Sequence, residues 1–276
     1  MRPDAAVPSR DIWPDDVVNR LRASGCVHAE DEARLLRDTA TTPVELATMV
    51  DRRVDGLPLE HVLGWAEFYG LRIEVDPGVF VPRRRTELMV HVAGELTNQS
   101  AVVVDLCCGT GAIGAAVAAI IGAVELHAVD IAPVACAGAR RNVAPAGGRV
   151  YVGDLYAPLP RPLRGRVDLL VVNAPYVPTE ELRLLPREAR LHEARVALDG
   201  GRDGLDIQRR VVADAPMWLA PGGHVLIEAS RRQSQATTGM LRRAGMSAVP
   251  RRSAELESTV VVGSHRPLGV PATART

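Results

Sequence analysis

The sequence predicts an α/β fold in which a seven-stranded sheet, mostly parallel with an antiparallel edge, follows a small helical N-terminal domain. From residue 101 onward, runs rich in Val, Leu and Ile alternate with stretches long enough to form helical crossovers. These runs are almost continuously apolar, which is typical of parallel strands covered on both faces. Before residue 58, apolar residues recur at helical spacing instead.

The N-terminal domain is predicted to span residues 1–57 and to consist of short helices. Helical apolar spacing runs through residues 15–23 and 29–39. In the stretch TTPVELATMVDRRVDG, Thr42 is the expected N-cap of a third helix, with Pro43 in its first turn and Glu45 closing a capping box.

Residues 58–85 are the predicted connector, because PLEHVLGWAEFYGLRIEVDPGVFVPRRR alternates like short strands separated by turns. The domain that carries the sheet is expected to span residues 86–264. A disordered tail is expected at residues 265–276.

The predicted sheet begins with five parallel strands, AVVVDL, AVELHAVD, RVYVGD, VDLLVV and HVLIEAS. A helix rich in small residues, GAIGAAVAAI, connects the first two. The last stretch, GMSAVPRRSAELESTVVVGS, predicts two strands close in sequence and therefore an antiparallel edge.

Composition narrows the possible functions. The formal net charge is +0, so no global field draws the protein to nucleic acid or to an anionic membrane. No apolar run reaches the roughly 18 residues of a membrane span, and the first 13 residues lack the apolar core of a signal peptide. The four cysteines show neither metal-ligand spacing nor a disulfide framework. We expect a cytoplasmic protein with reduced thiols, no metal site and no membrane partner.

A glycine-rich turn joins the first strand to its helix in VVVDLCCGTGAIG. Gly109, Gly111 and Gly114 satisfy G-x-G-x-x-G, and Asp130 ends the next strand at the spacing of a dinucleotide-binding fold. The glycines let the backbone approach a ligand, and the carboxylate can accept hydrogen bonds from ribose hydroxyls. The pattern predicts a Rossmann-like sheet that binds a nucleoside-bearing cofactor, with NAD among the candidates.

Two further carboxylates favour a cationic cofactor over a dinucleotide. Asp105 ends the first strand, where it would repel a pyrophosphate and suit an ammonium or sulfonium group. S-adenosylmethionine carries both groups and needs no phosphate cradle. Asp154 follows the third strand and is placed to contact an adenine amino group, although a plain turn or N-cap aspartate is an alternative interpretation.

The fourth strand runs directly into a second motif, Asn173-Ala174-Pro175-Tyr176. In an open parallel sheet, ligands bind beyond the carboxyl ends of the strands, so Asn173 is expected beside the methyl group of the cofactor. The Asn173 side chain and the Ala174 carbonyl offer acceptors for the two hydrogens of a planar NH₂ group, and Tyr176 offers a flat face. Such acceptors favour methyl transfer to a weakly nucleophilic amide or ring amine.

From about residue 58 to residue 233, the sequence resembles the HemK/PrmC family of protein-(glutamine N5) methyltransferases. The motifs that carry the resemblance are VFVPRRRTEL, DLCCGTGAIG, NAPY and ALDGGRDGLD. The resemblance implies a class I methyltransferase domain that uses S-adenosylmethionine. It also implies that the helical domain helps engage a protein substrate, often a peptide-chain release factor, whose methylated residue is the Gln of a Gly-Gly-Gln tripeptide.

The resemblance implies site residues as well. The cofactor would contact Cys107, Cys108, Gly109, Thr110, Gly111, Asp130, Leu155 (near the adenine) and Asn173. The substrate glutamine would be held by Asn173, Ala174, Pro175 and Tyr176.

Three places depart from the family pattern. Ala174 replaces the first proline of Asn-Pro-Pro-Tyr, which keeps the carbonyl but adds an N–H that needs a partner. Arg84 and Arg85 replace a proline and an acidic residue. Cys107 and Cys108 replace the usual Gly-Thr or Gly-Ser, which makes the loop bulkier.

Two other functions stay open. Enzymes that methylate exocyclic amines of nucleic acid share Asn/Asp-Pro-Pro-aromatic signatures, but this chain has no basic domain and only two Phe, four Tyr and three Trp for stacking. A non-catalytic cofactor-binding module would fit the altered signature, but it gives no reason to retain Asp105, Asp130 and Asn173. The basic run at residues 83–85 is either a solvated turn or a contact for a phosphate or an acidic partner.

Overall fold

The computed structural model describes residues 16–265, and the chain divides after Gly64 into two compact units. The first unit contains four helices, α1 (Val17–Ala23), α2 (Ala29–Thr39), α3 (Pro43–Val54) and α4 (Leu59–Leu63). Their apolar faces share one core, in which Leu21, Leu36 and Leu46 are almost completely buried. Helices are therefore the only regular secondary structure in the described part of this unit, residues 16–64.

Helix α3 begins as the sequence predicts. The Thr42 hydroxyl accepts the backbone N–H of Glu45 at 3.1 Å, and Pro43 occupies the first turn. The Glu45 carboxylate turns back to the N–H of Thr41, at 2.7 Å, and to its hydroxyl, at 2.6 Å. The Thr42 hydroxyl thereby satisfies one of the N–H donors that a helix start would otherwise leave unpaired, and Glu45 ties the residue before the N-cap to the first turn.

The predicted connector is partly wrong, because strand-like structure does not begin at residue 58. Helix α4 occupies residues 59–63 and ends at Gly64, whose φ of 77° is left-handed. The predicted short strands follow it as an antiparallel hairpin of β1 (Trp65–Phe68) and β2 (Leu71–Glu74). A 3₁₀ turn at Arg84–Thr86 then leads into α5 (Glu87–Leu96).

The second unit is built on a seven-stranded sheet, as predicted. Its strands are β3 (Val102–Leu106), β4 (Glu125–Asp130), β5 (Arg149–Val152), β6 (Val167–Val172), β7 (Leu219–Glu228), β8 (Ser247–Ser253) and β9 (Ser258–Ser264). Their order is β5-β4-β3-β6-β7-β9-β8. Strands β3 to β7 pair in parallel, and β9 pairs antiparallel with both β7 and β8. The antiparallel edge predicted from the last stretch is confirmed.

The remaining helices of the second unit are α6 (Ala112–Ile121), α7 (Pro133–Val143), α8 (Arg187–His192), α9 (Asp206–Trp218) and α10 (Ser234–Arg243). Two large apolar clusters make up most of the core of this unit, and both draw residues from the central strands. All five residues of β3 are buried, which explains why its sequence shows no polar alternation.

Two predicted segments, the first helix and the C-terminal tail, extend beyond the ends of the described chain. The N–H of His265 donates to the Gly223 carbonyl at 2.8 Å, so this residue still pairs with β7. The rest of the predicted tail, residues 266–276, lies outside the described residues, as does Asp15 at the predicted start of the first helix. Within residues 16–265, no helix has both the length and the hydrophobicity needed to cross a bilayer.

Candidate active site

The carboxyl ends of β3, β4 and β6 bring the predicted site residues to one edge of the sheet. The last residue of β3 pairs with Val129 of β4 and with Val172 of β6. Cys107, Asp130 and Asn173 are the next residues of the three segments and therefore leave the sheet at the same level. From β3 the chain continues to β4 on one side, and from β6 it continues to β7 on the other side. The strand order therefore reverses between β3 and β6, which is the switch point where ligands bind in such sheets.

The glycine-rich loop follows β3 and opens α6. Gly111 has a φ of 75°, and a Cβ there would lie 3.0 Å from Val143 Cγ1 of α7. Gly109 has a φ of 53°, and a Cβ on it would meet nothing within 4 Å. The loop therefore packs against α7 at Gly111 and is open at Gly109. An open backbone is needed wherever a ligand approaches the main chain closely.

Asp105 lies beneath this loop and is fully buried. Its Oδ2 accepts the N–H of Gly114 at 2.9 Å, whereas its Oδ1 has no hydrogen-bond partner among the described residues. Burial raises the pKa of Asp105 from 3.8 to about 7; the charge of Asp130 adds to the rise and the Gly114 N–H opposes it. A buried carboxyl with one unpaired oxygen is a site that a cationic group would stabilise.

The raised pKa predicts a pH-dependent stability. A carboxyl whose pKa is higher in the folded state binds more protons there, so the free energy of unfolding falls as pH rises from about 4 to about 7. For Asp105 the full loss is about 4 kcal/mol. Asp105→Asn should remove it, which chemical unfolding of the ligand-free protein at pH 4, 6 and 8 will measure.

The exposed Asp214 provides the control, since Asp214→Asn should follow the wild-type pH profile. If Asp105→Asn and the wild type kept a constant difference in stability over this range, Asp105 would not be the titrating group.

Asp130 organises the loop from the other side. Its Oδ2 accepts the N–H of Gly109 at 2.8 Å, and its Oδ1 accepts the N–H of Ala132 at 2.9 Å. Burial raises its pKa, and these backbone donors oppose the rise. Each carboxylate oxygen can accept further hydrogen bonds, so both oxygens keep capacity for a ligand's hydroxyl groups.

Asp154 and Leu155 follow β5 at the same edge. The Asp154 carboxylate is 48% exposed and pairs with Arg210 of α9 at 2.5 Å. Its expected contact with an adenine amino group stays a prediction, which would require the carboxylate to serve two partners. Leu155 is buried in the core with a left-handed φ of 48°.

Cys107 and Cys108 are the first two residues after β3 and open the glycine-rich loop. Cys107 has a φ of 56°, a conformation that glycine adopts more readily than any other residue. Burial raises the pKa of both thiols, so they stay protonated at neutral pH. Thr110, the next predicted contact, is also buried.

The Asn173-Ala174-Pro175-Tyr176 segment continues from β6 over this edge. Asn173 donates its NH₂ group to the Thr86 hydroxyl at 3.4 Å, so its oxygen faces away from Thr86. Ala174 is 1% exposed. The alanine adds a backbone N–H that a proline at this position would lack.

A second loop supports this segment from below, and it contains the ALDGGRDGLD stretch. The N–H of Val177 donates to the Leu198 carbonyl, and the N–H of Gly200 donates to the Val177 carbonyl. A Cβ on Gly200 would lie 2.7 Å from the Pro175 carbonyl oxygen, and one on Gly204 would overlap that of Tyr176. The glycines are required because two backbones meet here.

The three arginines of the basic run, residues 83–85, have different surroundings, so neither interpretation from the sequence describes all of them. Arg83 forms an ion pair with the buried Glu193. Arg85 donates to the Tyr176 phenol oxygen at 2.7 Å and lies 3.5 Å from Glu228. Only the middle arginine of the three keeps a largely exposed side chain.

Several residues of this site carried no individual signal in the sequence. Glu228 ends β7, and Gln233 donates to the Tyr176 carbonyl at 2.9 Å. Both lie far along the chain from the residues they contact. The ALDGGRDGLD stretch signalled family likeness, but not the contact its glycines make with Pro175 and Tyr176.

Comparisons with known proteins show what the chain is similar to. The family described as "Methyltransferase small domain" matches residues 70–253. A release factor glutamine methyltransferase of Geobacter sulfurreducens is 40% identical over 213 residues, which cover 75% of this chain and 74% of that protein. One of Moorella thermoacetica is 35% identical over 251 residues, which cover 83% and 88%.

Among solved structures, a 16S rRNA methyltransferase of T. thermophilus in complex with AdoMet and guanosine shares the fold. Its TM-score is 0.52 at 18% identity, over 73% of this chain and 50% of that one. The sheet order and the site at its switch point define a class I, Rossmann-like methyltransferase. Within that class, the chain belongs to the release factor glutamine methyltransferase family. The resemblance and the fold predicted from the sequence are confirmed.

Proposed function

We propose that this protein transfers a methyl group from S-adenosylmethionine to the side-chain amide nitrogen, N5, of a glutamine in a peptide-chain release factor. The observation that carries the proposal is the position of Asn173 and Tyr176. Both lie on a supported backbone beside the glycine-rich loop, at the switch point of the sheet. The names of the relatives that match most of the chain support the same substrate.

The loop residues fit S-adenosylmethionine. The unpaired Oδ1 of Asp105 suits a cationic group, the space above Gly109 is open, and Asp130 offers acceptors for ribose hydroxyls. Leu155 would border the adenine. When bound, S-adenosylmethionine supplies an electrophilic methyl group on a sulfonium.

The residues after β6 supply the hydrogen-bond acceptors that make the amide nitrogen reactive. An amide nitrogen is a poor nucleophile because its lone pair is delocalised into the carbonyl. Asn173 Oδ1 and the Ala174 carbonyl accept its two hydrogens, which favours the tetrahedral nitrogen of the transition state over the planar ground state. Tyr176 holds the amide plane with its ring, and Pro175 restrains the Ala174 carbonyl. No base is needed before transfer, since the proton leaves once the nitrogen is cationic.

The proposal also assigns a role to each segment of the chain. Residues 1–57 would recognise the substrate protein, residues 58–85 would connect, and residues 86–264 would carry out the transfer. We also propose a cytoplasmic location, in keeping with the four free cysteines and with a substrate that acts in translation.

Asp130→Ala is expected to raise the dissociation constant for S-adenosylmethionine by on the order of 10- to 100-fold, which is the effect of losing hydrogen bonds to a charged group. Isothermal titration calorimetry measures it directly. The exposed Asp55 of the helical unit provides the control, because Asp55→Ala should bind like the wild type. Unchanged binding by Asp130→Ala would remove this residue from the cofactor site.

The function is tested by incubating the protein with S-adenosylmethionine labelled in its methyl group. Release-factor protein, RNA and DNA from the same cell are offered separately. The proposal predicts label on the release factor alone. Label on RNA or DNA would assign the site to an exocyclic amine instead, and bound cofactor without any transfer would contradict methylation of all three.

A further inference from the structure

Arg85 joins the Tyr176 ring to a buried carboxylate. Its Nη2 donates to the phenol oxygen at 2.7 Å, and its Nε lies 3.5 Å from Glu228 Oε1. Two nitrogens of one planar guanidinium make these contacts, so the phenol is fixed relative to the carboxylate.

Glu228 anchors the inner end of this arrangement. It is 3% exposed at the end of β7, and its Oε2 has no hydrogen-bond partner among the described residues. Burial raises its pKa, while Thr86 and Arg85 oppose the rise. The ionised form of a carboxyl buried in this way is stabilised by a nearby cation. Arg85 provides one, although its own side chain is 46% exposed.

Tyr176 is held on two sides. Gln233 and the loop at Gly204 hold its backbone carbonyl, and Arg85 holds its phenol oxygen. The backbone contacts fix the position of the main chain at Tyr176, but they leave the side-chain torsion angles of the ring free to change. The hydrogen bond from Arg85 to the phenol oxygen restricts those angles.

We propose that Arg85 is a positioning residue: anchored on Glu228, it holds the Tyr176 ring in the orientation in which the ring's face meets the amide of the substrate. The kinetic part of this inference rests on the proposed function, since it takes Tyr176 as a substrate contact. Arg85 itself acts through the phenol oxygen and need not touch the substrate.

A double-mutant cycle with the purified protein and release factor tests the proposal. Arg85→Ala and Tyr176→Phe should each lower kcat/KM by on the order of 10- to 100-fold, mainly through kcat, because a misplaced ring loses its effect on orientation. The double variant should lose no more than the larger single loss, since both remove the same contact. The dissociation constant for S-adenosylmethionine should stay within about twofold in all three.

Two further variants control for charge and folding. Arg84→Ala removes the neighbouring arginine, which is 78% exposed and lies 3.9 Å from Glu255, and it should behave like the wild type. Arg85→Lys keeps a positive charge beside Glu228, but a single ammonium cannot reproduce the two-nitrogen contact. It should lose activity like Tyr176→Phe, and it replaces Arg85→Ala in the cycle if that variant fails to fold.

Fluorine NMR supplies a readout that needs no substrate. The chain has four tyrosines, so fluorotyrosine labelling gives few resonances, and Tyr176→Phe identifies the relevant one. Arg85→Ala and Arg85→Lys should shift it, and Arg84→Ala should not. An unshifted resonance, or additive losses in the cycle, would overturn the proposal. A shifted resonance in a protein that methylates no release factor would support the positioning contact and refute only the proposed function.

Discussion

Replacing Asn173 with alanine is expected to lower methyl transfer by at least on the order of 10²- to 10³-fold, the range for losing one oriented group in a transition-state site. Its NH₂ group is engaged with Thr86, so the carboxamide oxygen is the group left to accept a hydrogen of the substrate amide. Cofactor affinity should change only a few-fold, since the loop around Gly109 is held by Asp130 instead. Single-turnover transfer and calorimetric binding measure the two effects separately.

Asn98→Ala is the matched control, because Asn98 is exposed before β3, at the opposite edge of the sheet. It should leave both quantities unchanged. Activity of Asn173→Ala within a few-fold of the wild type would show that the amide-clamp mechanism is wrong. An equal loss of cofactor binding would assign Asn173 to the cofactor rather than to the substrate.

Gly204→Ala is expected to destabilise the fold by about 2–5 kcal/mol and to lower transfer by about 10²-fold. The φ of Gly204 is 76°, and a Cβ there would overlap the Tyr176 carbonyl oxygen and the Gln233 side chain. Relief of the overlap must move the backbone that carries Tyr176. Urea unfolding and single-turnover transfer measure the two effects.

Gly165→Ala is the control that separates the backbone strain of a left-handed alanine from the steric overlap with Tyr176. Gly165 has nearly the same φ, 72°, but a Cβ there would meet nothing within 4 Å. This variant should lose only the 1–2 kcal/mol or so of a left-handed alanine and keep full activity. Equal effects at the two positions would show that the loop does not support Tyr176 through this contact.

The sheet and the place of the site could be predicted because they follow from local patterns and one topological rule. Continuous apolar runs indicated parallel strands, and the motifs at the ends of β3, β4 and β6 indicated the ligand edge. The pairing of Leu106 with both Val129 and Val172 then brings those motifs together. Helix α4 was not predicted, because five residues are too few to show a helical period. Its Val62 packs into the core of the first unit, which decides its structure.

The contacts that hold Tyr176 could not be predicted from the sequence. Glu228, Arg85 and Gln233 come from three separate segments of the chain. Only the folded chain brings Arg85 to the Tyr176 phenol, Glu228 to Arg85 and Gln233 to the Tyr176 carbonyl. The partner of Asp154 was missed for the same reason, since Arg210 lies on α9. Sequence periods report which face of an element is buried, but not which distant polar groups meet across a loop.

The central claim is that a glutamine amide is the methyl acceptor, and mapping the methyl group by tandem mass spectrometry tests it most directly. Release factor is methylated with isotope-labelled cofactor, digested and sequenced, alongside a factor whose Gly-Gly-Gln glutamine is replaced by glutamate. One methyl group on the side chain of that glutamine, and none on the variant factor, is the predicted result. A methyl group on any other residue, or equal methylation of the variant, would contradict it.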